Sequence, residues 1–383
     1  MMQFTTILSV LILLFGLVYL CQLLLFIAGI GKIRKGNATA LPDVTVIVPA
    51  RNEEAHIAEC LSSLLAQDYP AELMEIFVVD DQSSDATASI VRSFSERHPR
   101  VRMLQVNDRP VEISPKINAV TLAIAQTRGE IIFTTDADCI VPPAWISTMM
   151  HYYDETTGVV TGATLYVNKQ QVPALLFGIQ FLDFLSHTAC AAGAIGDGIT
   201  SNCNGSNFSF RRSAFEQIGG YGPLARINSG DDSLLAQRIE SDTQWRVRFV
   251  LDPAAHVSTY PVTTWRDFLL QRMRWAGQTA HYNTSALIFM ICSFLLFILI
   301  FLTLPFSLFS PMEFPVPLIM FIAKLIVDYA AVLQFTRAAR IPSMLKYFLP
   351  AEVIHIPMIL LAVFGGYFGK FEWKGRAMQR TTD

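Results

Sequence analysis

The first 31 residues contain no Asp, Glu, Lys or Arg, and the stretch from Phe4 to Ile30 is apolar except for isolated Thr, Ser, Gly and Gln. A helix of about 20 such residues crosses the hydrocarbon core of a bilayer, so this run is long enough to span it with some tilt. A secretory signal peptide would instead begin with basic residues and carry a shorter apolar stretch of about 7–15 residues. Here the positive charges, Lys32, Arg34 and Lys35, follow the run. Residues 1–31 are therefore expected to form a transmembrane anchor, with the chain after it on the cytoplasmic side by the positive-inside rule.

The other end is also apolar. Residues 282–312 carry no charge, and segments of about 286–309, 315–335 and 345–369 are expected to enter the membrane. Lys324 and Asp328 stand one helical turn apart within the second and are expected to neutralise each other. The third holds Lys346, Pro350, Glu352, His355 and Pro357, and leaves two topologies open. If it crosses, the basic tail 370–383 ends outside; if it re-enters, that tail is cytoplasmic, as the charge rule favours.

Whole-chain composition agrees: 52% of the residues are apolar and only 16% charged, against roughly 25% charged in a soluble domain. The net charge of −3 offers no electrostatic footprint for nucleic acid. None of the six cysteines forms a C-x-x-C pair, so neither a structural zinc nor a disulfide framework is indicated.

Residues 41–262 differ. Buried-strand patterns at 44–48, 75–79, 102–106 and 131–135 alternate with helical patterns at 55–66 and 86–96. This predicts an α/β domain with a mostly parallel sheet covered by helices on both faces, whose ligands bind at the carboxyl ends of strands. Three such ends are rich in polar and acidic residues: 49–54 (PARNEE), 80–85 (DDQSSD) and 136–138 (DAD). Singly, each suits a turn or a helix cap. Together, carboxylates at one sheet edge repel unless they hold a cation or a ligand's donors. Asp136 and Asp138 have the hard oxygen chemistry of a Mg²⁺ or Mn²⁺ site sharing its coordination with phosphate. Lys116, in SPKINA, reads either as a cation for a diphosphate or as a solvated surface residue. No P-loop and no G-x-G-x-x-G is present.

The order PARNE, VVDDQSSD, PKINA, TTDAD, GDDSLL and QRMRW resembles the membrane-integrated family 2 glycosyltransferases, which include ceramide glucosyltransferase, poly-N-acetylglucosamine synthase and the cellulose and hyaluronan synthases. The resemblance implies a GT-A fold that binds a UDP-sugar and inverts the anomeric centre. It implies that Pro49, Arg51, Glu53, Asp80 and Asp81 surround the uridine, that Lys116 meets the diphosphate, and that Asp136 and Asp138 form the D-x-D, with Asp138 on the metal. It places Asp232 as general base with Asp231 beside it, where the family more often has Glu-Asp, and Asn204, Gly205 and Asn207 on the acceptor side.

Residues 263–283 read as an amphipathic interfacial helix. Trp265, Phe268, Leu269, Met273 and Ala276 gather on one side and Gln271, Arg274 and Trp275 on another. The resemblance gives Arg274 a diphosphate and Trp275 an acceptor sugar or headgroup. The acceptor is a membrane lipid or a growing glycan. A secreting synthase generally builds a channel from more spans than these, which favours one sugar added to a lipid. A non-catalytic nucleotide-sugar-binding scaffold is the third reading, and it would have lost the base or the metal ligands.

Overall fold

The computed structural model describes the chain apart from residues 1, 109–112, 228–229, 278–281, 283, 342–343, 370, 374–375 and 379–383. Lys370, Lys374, Gly375 and Arg380 of the basic tail thus lie outside the described residues.

The chain opens with α1 (Met2–Lys32) and then alternates β1 (Val44–Ala50), α2 (Ile57–Leu65), β2 (Met74–Asp80), α3 (Thr87–Arg97), β3 (Val101–Gln105), α4 (Pro115–Ile124), β4 (Ile131–Thr134) and α5 (Trp145–Met150). There follow β5 (Thr157–Gly162), β6 (Thr164–Tyr166), α6 (Ala174–Gly196), β7 (Phe208–Arg211), α7 (Arg212–Gln217), α8 (Asp231–Asp242), β8 (Arg246–Val250) and β9 (Val257–Thr259). Four helices follow, α9 (Trp265–Ala276), α10 (Thr284–Phe309), α11 (Val316–Ala338) and α12 (Phe348–Phe368), and a short hairpin of β10 (Phe371–Trp373) and β11 (Arg376–Met378) ends the described chain. Two units emerge: a sheet unit of Ile33–Lys169 and Gly198–Tyr260, and a helical unit of Met1–Lys32, Gln170–Asp197 and Pro261–Asp383.

The sheet unit is built on seven strands in the order β3-β2-β1-β4-β7-β5-β8. Only β7 runs antiparallel to its neighbours, β4 and β5. The apolar runs predicted from sequence become strands because both faces are covered: Val46, Val48, Ile76, Val78 and Phe133 are fully buried, with Ile57, Leu61 and Leu64 of α2 and Trp145 of α5 in the same core. The chain leaves β1 toward β2 and β3 on one side and returns through β4 on the other. This reversal puts the switch point of the strand order at the carboxyl ends of β1 and β4, where an open α/β sheet binds its ligands.

In the helical unit, α1 packs with α6, α10 and α11. A Cβ on Gly29 would come within 2.0 Å of the Gly193 carbonyl oxygen, so α1 and α6 approach at a distance only glycine permits. Lys324 is fully buried. It pairs with Asp328 one turn away at 2.6 Å and also with Glu352 of α12, and Tyr19 of α1 donates its hydroxyl to Asp328 at 2.7 Å. The expected neutralisation therefore has two further members. Among the described residues, five helices are long and apolar enough to cross a membrane. Four fall on the segments expected from sequence, and the fifth, α6, does not.

A single crossing by α6 conflicts with the sheet. β5 and β7 flank α6 in the chain yet pair residue by residue, and a bilayer cannot divide hydrogen-bonded neighbours. So α6 returns the chain to the side it left. In the segment 345–369, α12 runs as one helix through Pro357, the missing N–H of one proline being tolerated where neighbouring helices pack.

Candidate active site

The site is assembled from the loops beyond β1, β2 and β4 and from three later segments. After β1, the chain turns at Asn52 with φ +52°, and after β2 at Gln82 with φ +58°. Both are left-handed positions held by local bonds. Asn52 Oδ1 accepts from Ser84 N at 2.8 Å, and Ser83 Oγ accepts from Asn52 N at 3.0 Å. Arg51 Nη1 donates to the Asp81 carbonyl at 2.8 Å, and Asp81 N donates to the Ala50 carbonyl at 2.9 Å. Pro49, Arg51, Glu53, Asp80 and Asp81 are thereby gathered at one corner, with both aspartates buried.

Beyond β4 lies the D-x-D. Lys116, in the first turn of α4, approaches Asp136 Oδ1 at 3.0 Å. Burial opposes the Lys116 charge, but Asp136, Asp231 and Asp232 outweigh it and hold the ammonium well above its ordinary pKa. Asp136, Asp138 and Cys139 offer ligand atoms that all lie within 4.8 Å of one another. Burial, then the charges of Asp138 and Asp136, push the Cys139 thiol well up. It stands as a neutral thiol beside two carboxylates, and the oxygen donors fit a hard divalent cation.

The third contribution comes from α8. Gly230 caps it with φ +80°, a conformation glycine adopts without strain, and so starts the helix at Asp231. Asp232 Oδ1 accepts from Ser233 N at 2.7 Å. Burial first, then Asp231, push the Asp232 carboxyl up to about 6 despite the lowering influence of Lys116. A carboxyl so poised is suited to exchange a proton near neutral pH.

Residues 202–207 bind these parts together. Thr134 Oγ1 donates to the Gly205 carbonyl at 3.1 Å and Thr135 Oγ1 to the Ser206 carbonyl at 2.9 Å. Ser233 Oγ donates to Asn202 Oδ1 at 2.8 Å, and Cys203 N donates back to Ser233 Oγ at 3.0 Å. A Cβ on Gly205 would sit 2.9 Å from Asp232 Oδ2 and 3.0 Å from Lys116 Nζ. The glycine backbone is thus the spacer between the two charges. Asn204 Oδ1 accepts from Ser206 Oγ at 2.8 Å, while its Nδ2 is buried with no partner among the described residues.

Asn207 is a correction. The turn was expected to offer it to an acceptor, but it is fully buried and its amide is saturated. Nδ2 donates to the carbonyls of Ala163 and Ala255, each at 2.8 Å, and Oδ1 accepts from Trp145 Nε1 at 2.9 Å. It fastens the turn to the core. Thr134, Thr135 and Ser233 are the residues that the sequence reading missed; their only signal is a hydroxyl beside each acidic motif. Gln271, Arg274 and Trp275 lie on α9 and belong to the helical unit.

This geometry meets a matching family model. The description Glycosyl transferase family 21 covers residues 7–382. The chain belongs to that family. It is 30% identical over 256 residues to the probable glycosyltransferase YdaM of Bacillus subtilis, covering 63% of this chain and 56% of that protein. It is 27% identical over 252 residues to a beta-monoglucosyldiacylglycerol synthase of Synechocystis, covering 63% of this chain and 49% of that one. The chain thus spans about half the length of the curated relatives it matches. Among solved structures it resembles the mannosyltransferase PcManGT of Pyrobaculum calidifontis, solved with GDP-Man and Mn²⁺, at a TM-score of 0.58 and 20% identity over 94% of this chain and 99% of that one. The sheet unit of this family 21 glycosyltransferase therefore has a GT-A-like fold.

Proposed function

We propose that the protein is an inverting glycosyltransferase that moves a sugar from a UDP-sugar to a membrane lipid at the cytoplasmic face. What carries this reading is Asp232: a carboxyl pushed up to about 6 at a helix start, separated by the Gly205 backbone from Lys116, which touches the D-x-D.

The chemistry follows from the residues. Asp232 takes the proton of the acceptor hydroxyl as that oxygen attacks the anomeric carbon from the face opposite the leaving group. Lys116 stands ready with positive charge for the diphosphate that departs. Asp138 and Asp136 would hold a Mg²⁺ or Mn²⁺ ion, which neutralises charge on a leaving diphosphate when bound. Pro49, Arg51, Glu53, Asp80 and Asp81 receive the uridine, and Asn204 and Gly205 border the acceptor. Gln271, Arg274 and Trp275 serve the transfer, Trp275 by stacking on the acceptor. The basic residues after α1 support the cytoplasmic placement, and the relative named for a glucosyldiacylglycerol product supports a lipid acceptor.

The test is to give purified protein radiolabelled UDP-sugars and a membrane lipid extract. Label in the organic phase, lost on chelation by EDTA, is the expected result. Label held in polymer at the chromatographic origin would replace the lipid acceptor by a growing glycan.

A further inference from the structure

One ridge of α9 in the helical unit carries Phe268, Arg272 and Trp275, spaced four and three residues apart and so stacked along the helix; this corrects the expected separation, since Trp275 shares the side of Phe268 and does not lie on another. The middle residue is an arginine only 5% exposed. Its guanidinium carbon lies 3.9 Å from the centroid of the Trp275 ring and 4.6 Å from that of Phe268. Nη1 donates to Gln271 Oε1 at 2.7 Å, and Nε donates to Asp183 Oδ2 of α6 at 2.5 Å. Phe184, the residue after Asp183, packs its ring 5.7 Å from that of Trp275. Two of the QRMRW residues, Gln271 and Trp275, are thus held by a third that the motif spacing leaves unspecified. That third is held by a carboxylate 89 positions earlier.

Stability alone gives a poor account of this arrangement. A buried ion pair costs so much desolvation that apolar residues of similar volume often do as well. A guanidinium stacked on an indole and forked to an amide and a carboxylate specifies orientation, which neither lysine nor an apolar residue reproduces.

We propose that Arg272 and Asp183 are positioning residues for acceptor recognition, fixing the Trp275 ring and the Gln271 amide in the geometry that transfer needs. The inference rests on the reading in which Trp275 stacks on the acceptor.

The test uses the full chain in phosphatidylcholine nanodiscs, with the UDP-sugar and lipid extract of the assay above and the extract varied as mole fraction. Arg272→Lys keeps the charge opposite Asp183 and loses the stack and fork. It is expected to raise the acceptor KM by about tenfold, leave the UDP-sugar KM and the melting temperature near wild type, and shift the emission of Trp275, read as the difference from Trp275→Phe. Trp275→Ala is expected to show the same acceptor defect, and Arg272→Lys added to it to cost nothing more. Asp183→Asn, which keeps the shape of the side chain, should repeat the emission shift. A normal acceptor KM in Arg272→Lys beside an impaired Trp275→Ala overturns the inference and spares the reading beneath it. A normal acceptor KM in Trp275→Ala overturns both. Loss of folded protein in both Arg272→Lys and Asp183→Asn assigns the pair to stability and also overturns the inference.

Discussion

Lys116 of the sheet unit approaches Asp136 at 3.0 Å, with Asp231 and Asp232 near enough to hold its proton. Lys324 of the helical unit pairs with Asp328 and Glu352, and Asp328 also accepts from Tyr19. Each is one ammonium among carboxylates. The Lys116 side chain is 32% exposed and that of Asp136 42%, whereas Lys324 is 0% exposed and Asp328 10%. In the Lys324 cluster the charged groups pair with one another and are almost wholly enclosed. In the sheet unit Lys116 stands among Asp136, Asp231 and Asp232, and the side chains of Lys116 and Asp136 stay partly exposed. The same residue types thus build architecture where they are enclosed and, on the proposed function, chemistry where they stay partly exposed.

Removing one member from each cluster should break this comparison in opposite ways. Asp232→Asn is expected to lower turnover by roughly 10²–10⁴-fold while UDP-sugar binding survives. Equilibrium binding beside single-turnover rates checks this, and turnover near wild type would remove Asp232 as the base. Lys324→Met should leave buried carboxylates unpaired and cost about 3–5 kcal/mol of stability, read by thermal or denaturant unfolding in detergent. A normal melting temperature there would mean that the enclosed cluster is not structural.

Lys116→Gln sharpens the contrast. The donor KM should rise by roughly 10- to 150-fold, for the loss of one charge-assisted contact of about 1.5–3 kcal/mol. Because Asp232 must be ionised to act, kcat/KM should fall as pH drops through about 6. Lys116 lowers that pKa, so its removal should move the acid limb to higher pH; an unmoved limb would uncouple the two groups. Gly205→Ala should leave the melting temperature unchanged, since its new methyl meets only the mobile ends of Asp232 and Lys116. By displacing them it should still lower kcat, by about tenfold. A stable variant with unaltered kcat would show that the spacing at this glycine is not critical.

Much of this site is visible in the chain before folding because the signals are local. An apolar run followed by a polar, acidic motif reads as a strand whose carboxyl end meets a ligand, and the runs ending at Ala50, Asp80 and Thr134 could be read that way. Asp232 was visible as a carboxylate at a helix start. Asn207 was not readable as structural, because a Gly/Asn turn has the same letters whether it faces a ligand or plugs a core; its partners Trp145, Ala163 and Ala255 are far away in sequence.

Local pattern by itself thus determined the anchor at 1–31, the three apolar segments near the other end, the alternating strands and the acidic strand ends. Each rests on hydrophobic periodicity or on a short polar motif, and such features need no knowledge of distant residues. Only the tertiary structure decided that α6 belongs with the apolar helices without crossing once, that Glu352 and Tyr19 complete the Lys324 cluster, and that Asp183 holds Arg272. Those outcomes depend on which helix or strand lies beside which. A buried charge accepts whatever partner the packing brings within reach, and that choice is made between residues that are remote along the chain.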